Sequence, residues 1–181
     1  MNLPNKLSLF RVVIIPVFVV VYYLTATPYN TFDYLLAPLF VLASVTDFFD
    51  GYIARKHNLV TVFGKFIDPL ADKLIVMSAL IVLNALGSIP YWVTIVILSR
   101  EFIVTGIRLV AVGDGKVIAA SKLGKHKTAS TMVGIILMLG YPYWQSLADI
   151  GIWVVYFGTL MTIVSGIDYF IKNKSILLQS I

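Results

Sequence analysis

The chain has 181 residues, 59% of them hydrophobic and only 13% charged, with no cysteine and a formal net charge of +5; its mean hydropathy is +0.91. That balance excludes an ordinary soluble enzyme and points to an all-α polytopic membrane protein, while the missing cysteines exclude disulfides and zinc–thiolate sites. The positive charge suits anionic lipid and gives no reason to invoke nucleic acid.

Residues 1–6 read as a short polar, juxtamembrane lead containing Pro4, and residues 7–24 as a first membrane span. A signal peptide competes for this stretch, with Lys6 and Arg11 as its basic start and Thr25-Ala26-Thr27 as a poor cleavage site. The length of the run, its β-branched residues and the spans that follow favour a retained helix. A turn over 28–31 precedes span two, about 32–54, where Asp33 complements the helix dipole. The polar link Arg55-Lys56-His57-Asn58 leads to span three, about 62–86, in which Pro69 removes an amide donor and frees the Lys65 carbonyl.

A turn over 84–90 leads to span four, about 91–112, interrupted by Arg100, Glu101 and Arg108. A basic loop over 113–127 carries Lys116, Lys122, Lys125 and Lys127 and feeds span five, about 128–141. Span six, about 150–171, ends in Lys172 and Lys174. Six spans of about 20 residues use nearly the whole length, so residues 1–181 read as one membrane domain with no internal repeat.

Both termini and the links between spans two and three and four and five carry most of the 14 Lys and Arg, whereas residues 25–31, 84–90 and 142–149 carry none. By the positive-inside rule the basic links and both termini are cytoplasmic. A chamber at that end of the bundle would open to the cytosol.

Asp47, Asp50, Asp68 and Asp72 stand in very apolar surroundings at that end. Each helical residue turns by about 100°, so Asp47 shares a face with Asp50, and Asp68 with Asp72. An unpaired acid within a bilayer costs about 2.5–3.5 kcal/mol, and four acids close together also repel, so positive charge is required among them. The all-oxygen donor set favours Mg2+ or Mn2+, and four acids suit a pair of ions. Gly51 and Ala54 give a bulky ligand access to the backbone, and Arg55 suits a phosphate.

The full pattern, D-x2-D-G-x2-A-R-x8-G-x3-D-x3-D over 47–72, resembles the signature of the CDP-alcohol phosphotransferases and matches it at every specified position. The opening Leu3-Pro4-Asn5-Lys6-Leu7-Ser8-Leu9-Phe10-Arg11 and the segment from Ser99-Arg100-Glu101 to Arg108 resemble the bacterial phosphatidylglycerophosphate synthase branch of that family. The resemblance implies attack of an alcohol on a CDP-linked substrate with release of CMP. For that branch the substrates are CDP-diacylglycerol and sn-glycerol 3-phosphate, and the assembly is a homodimer in the bacterial cytoplasmic membrane.

By the same resemblance, Asp47, Asp50, Asp68 and Asp72 would hold the metal ions, and Asp72 would be the general base. Asn5, Asp47, Asp50, Gly51, Ala54, Arg55, Gly64 and Asp68 would bind the CDP moiety. Arg100, Arg108, Lys125 and Lys127 would hold the acceptor phosphate. Structural readings compete for some of these residues, because Arg100 and Glu101 can equally fasten the bundle and Lys127 can face lipid headgroups. Another acceptor alcohol (phosphatidylglycerol, serine or an inositol phosphate) keeps the same chemistry. Intramembrane charges also suit an ion-coupled transporter, which would leave the spaced motif unexplained; a purely structural scaffold would tolerate Asp50→Ala and Asp68→Ala together.

Overall fold

The computed structural model describes residues 2–25, 33–56, 61–113 and 122–179. Among these residues the fold is all-helical, with six helices and no strand: α1 Leu3–Thr25, α2 Asp33–Lys56, α3 Val62–Ala85, α4 Tyr91–Gly113, α5 Lys122–Leu139 and α6 Gln145–Gln179. α2, α3 and α4 lie within two residues of the expected spans. The other three depart from hydropathy in one way: helix continues into polar sequence. α1 begins at Leu3, inside the expected lead; α5 begins at Lys122, inside the expected basic loop; α6 runs from Gln145 to Gln179, past both ends of the apolar run. Hydropathy marks where a segment is apolar, whereas the backbone stays hydrogen-bonded for as long as side chains can reach partners or solvent.

Local chemistry sets the ends. Thr61 is extended (φ −108°, ψ 160°) and its hydroxyl accepts from the Gly64 amide, capping α3. At the α3–α4 turn the Ser88 amide donates to the Leu83 carbonyl and Gly87 takes φ 70°, a left-handed conformation that suits glycine. The buried Asn84 amide donates to the Ile89 carbonyl within the same turn. Pro16, Pro38 and Pro69 lie inside helices that continue past them.

All six helices contribute to one apolar core, in which Phe18, Phe40, Ile75, Val93, Ile135 and Val155 meet. α5 and α6 pack most extensively, because glycine removes the side chain at their crossing: a Cβ on Gly151 would sit 2.9 Å from the Met138 amide nitrogen, and one on Gly134 2.9 Å from that of Val155. α1 packs on both α2 and α3 more extensively than those two pack on each other. The outside is also apolar, with Val13, Val20, Ile81, Ile95, Phe102, Trp153 and Ile167 exposed. Among the described residues two segments, Asn5–Leu24 and Gln145–Lys174, are long and apolar enough to cross a membrane.

Candidate active site

The start of α1, the end of α2, the start of α3, the end of α4, the start of α5 and the end of α6 are tied together by polar contacts among their own charged and polar side chains at one end of the bundle. Arg11 of α1 is wholly buried, and its Nη1 lies 2.6 Å from Asp47 Oδ1 of α2. Ser8, one turn earlier, donates to Asp68 Oδ1 of α3. Asn5, a further turn back, accepts from the Thr61 hydroxyl at 2.9 Å. Gly64 packs under this group: a Cβ there would lie 3.2 Å from Asn5 Oδ1, 3.2 Å from Thr61 Oγ1 and 3.6 Å from Asp68 Oδ2.

Asp72 lies one turn beyond Asp68 on α3. Arg11 pairs with Asp47, and Lys73 and Lys127 line the same cavity as Asp72, so at least part of the positive charge these acids require is built into the chain. The hard oxygen donors suit Mg2+ or Mn2+ and offer nothing to a soft metal. Among the described residues no three acids or histidines draw close enough to hold an ion together. The side chains of Asp50, Gly51, Ala54, Arg55 and Lys125 lie outside the described set, although their backbones belong to α2 and α5; His57, Asn58 and Lys116 lie outside the described residues altogether.

A cavity of about 540 Å³ opens beside Asp72, between α3, α4, α5 and the end of α6. Lys73, Arg100, Arg108 and Lys127 line it, against two carboxylates, Asp72 and Glu101. The excess of cations suits an anionic ligand. The Arg108 Nε donates to the Tyr169 hydroxyl at 3.2 Å, and the guanidinium lies 5.6 Å from the centre of the same ring. Arg100 reaches Glu101 Oε1 at 3.0 Å and the Ser165 hydroxyl at 3.2 Å. Lys127 bonds the same Glu101 oxygen, and Lys73 donates to the Thr105 hydroxyl. Arg100 and Lys127 therefore fasten helices and face the cavity at once.

Of the acceptor-site residues expected from sequence, Arg100, Arg108 and Lys127 converge on this cavity. Lys73, which directly follows Asp72 and was not singled out from the sequence, lines the same cavity. Arg11 and Ser8 were missed as partners of the acids. Their signal is the spacing Asn5, Ser8, Arg11, which puts three polar residues along one face of an otherwise apolar helix.

A helical bundle with spaced acids beside a cation-lined cavity at one end has the parts a phosphoryl-transfer enzyme needs. Residues 1–164 match the CDP-alcohol phosphatidyltransferase family, and the chain belongs to it. It is similar to a protein of Bacillus subtilis (strain 168) named CDP-diacylglycerol–glycerol-3-phosphate 3-phosphatidyltransferase, 44% identical over 95% of each chain. A Rickettsia typhi protein of the same name is 39% identical over 96% of this chain and 98% of its own. A Mycobacterium tuberculosis (strain CDC 1551 / Oshkosh) protein named as a probable phosphatidylglycerophosphate synthase is 40% identical over 93% of this chain and 79% of its own.

Proposed function

We propose that this protein transfers the phosphatidyl group of CDP-diacylglycerol to sn-glycerol 3-phosphate, giving phosphatidylglycerophosphate and CMP in anionic phospholipid synthesis. The names of its relatives support the substrates. The observation in the fold that carries the reading is the cavity beside Asp72, where four cations outnumber two acids. A phosphomonoester acceptor needs such a place, whereas an uncharged alcohol does not.

In this reading Asp47, Asp50, Asp68 and Asp72 would hold a pair of Mg2+ or Mn2+ ions, which when bound would neutralise the diphosphate and the charge left on CMP. Asn5, Gly51, Ala54, Arg55 and Gly64 shape the CDP cradle around those acids. Lys73, Arg100, Arg108 and Lys127, with Lys125, hold the acceptor phosphate and so present the glycerol hydroxyl to Asp72. Asp72 takes the hydroxyl proton as its oxygen bonds to the phosphorus that carries diacylglycerol, and the P–O bond to CMP breaks.

All six helices span the bilayer as a single domain, with both termini and the polar end in the cytoplasm, so diacyl tails stay in lipid while the acceptor arrives from water. The distribution of Lys and Arg supports that orientation, and the exposed apolar exterior supports the membrane setting. Two copies pair through the outer faces of α3 and α4, where Ile81, Ile95 and Phe102 are exposed.

The test is product identity. Purified protein in detergent, given CDP-diacylglycerol and labelled sn-glycerol 3-phosphate, should move the label into the lipid phase as a phosphomonoester. Label that remains water-soluble would contradict the assignment.

A further inference from the structure

Asn5, Ser8 and Arg11 recur every three residues on α1, and all three are buried, at 8%, 1% and 0% exposure. Burying an amide, a hydroxyl and a guanidinium in an apolar helix is costly unless each is bonded, so an ordinary membrane anchor would carry apolar residues here. Each of the three instead contacts a different part of the acid-bearing helices, Asn5 and Ser8 through hydrogen bonds and Arg11 through an ion pair. Asn5 holds Thr61, the residue that caps α3. Ser8 holds one oxygen of Asp68, and Arg11 one oxygen of Asp47.

Packing gives these bonds their importance. α2 and α3 meet each other sparingly, and α1 packs well against both. The spacing between the acids of α2 and those of α3 is therefore set largely through α1, not by direct contact of the two helices.

We propose that the Asn5–Ser8–Arg11 face of α1 is the positioning template of the cation site, with Ser8 fixing the Asp68 carboxylate, Arg11 fixing Asp47 and Asn5 fixing the start of α3. The inference rests on the reading of Asp47 and Asp68 as ligands of a divalent cation. These three are positioning residues in this role: they act on the cation through the acids. Groups that orient metal ligands typically change affinity by about 10- to 100-fold when removed. Ser8 gives the cleanest test, because it is neutral and small and alanine is the best helix former.

The experiment is Mn2+ titration of detergent-purified protein without substrate, followed by electron paramagnetic resonance of free Mn2+, with the unfolding temperature measured in chelator alongside. Ser8→Ala should weaken Mn2+ binding about 10-fold, and Ser8→Thr, which restores the hydroxyl, should bind close to wild type. Ser8→Cys keeps the volume but not the strong donor, and should resemble Ser8→Ala. A purely structural Ser8 would shift the unfolding temperature and leave Mn2+ affinity unchanged in all three variants, which would overturn the template. Wild-type protein that binds no Mn2+ would instead overturn the cation reading itself, and the template with it.

Discussion

Arg11 Nη1 stands 2.6 Å from Asp47 Oδ1, and the two ends of this pair are unequal: the arginine side chain is wholly buried, whereas the aspartate is 37% exposed. Removing one partner of a buried pair typically costs about 3–5 kcal/mol because a charge is left behind in low dielectric. The two deletions should therefore differ. Asp47→Ala takes the bond from a guanidinium that cannot reach water, whereas Arg11→Leu leaves a carboxylate that can. Thermal unfolding in chelator should show the larger loss for Asp47→Ala, and the reverse order would contradict the burial argument.

Asp72→Asn keeps the shape of the side chain and removes its capacity to take a proton. Turnover should fall at least about 100-fold, the lower range for a positioned general base, while CDP-diacylglycerol still binds. Equilibrium binding of the CDP-lipid beside a rate assay separates the two effects, and retained turnover would remove Asp72 as the base.

Arg108 lines the cavity and is steadied by Tyr169. A charge-assisted hydrogen bond contributes about 1.5–3 kcal/mol, so Arg108→Ala should raise KM for sn-glycerol 3-phosphate by about 10- to 100-fold. KM for CDP-diacylglycerol should hardly move. A parallel rise in both constants would place Arg108 on the wrong substrate.

Two glycines should respond in opposite directions to the same substitution. A Cβ on Gly151 meets the Met138 backbone at 2.9 Å, which cannot yield without separating α5 from α6, so Gly151→Ala should destabilise by about 1–3 kcal/mol. Gly106, on α4, has nothing within 4 Å of an added Cβ, and Gly106→Ala should stabilise by about 0.5–1 kcal/mol through helix propensity. Unfolding temperatures of the two variants check the pair.

The extent of α2, α3 and α4 was legible because their apolar runs stop at turn residues or a basic link. α5 was not, because Lys122, Lys125 and Lys127 read as part of a basic loop, whereas Lys127 is buried against Glu101 within the helix. That Asp68 and Asp72 share a helix could be read from their spacing, and both lie on α3. What holds the acids could not, because Ser8 bonds Asp68 across 60 residues of chain and Arg11 meets Asp47 only once α1 packs on α2. Such pairings belong to tertiary packing, and the polar face of α1 is their local trace.

The most direct measurement is CMP release from CDP-diacylglycerol by purified protein in detergent, with and without Mg2+ or Mn2+ and with and without sn-glycerol 3-phosphate. CMP should appear only when cation and sn-glycerol 3-phosphate are both present. CMP formed with another alcohol but not with sn-glycerol 3-phosphate would contradict the acceptor assignment; no CMP with any acceptor, from folded protein, would contradict the transferase itself.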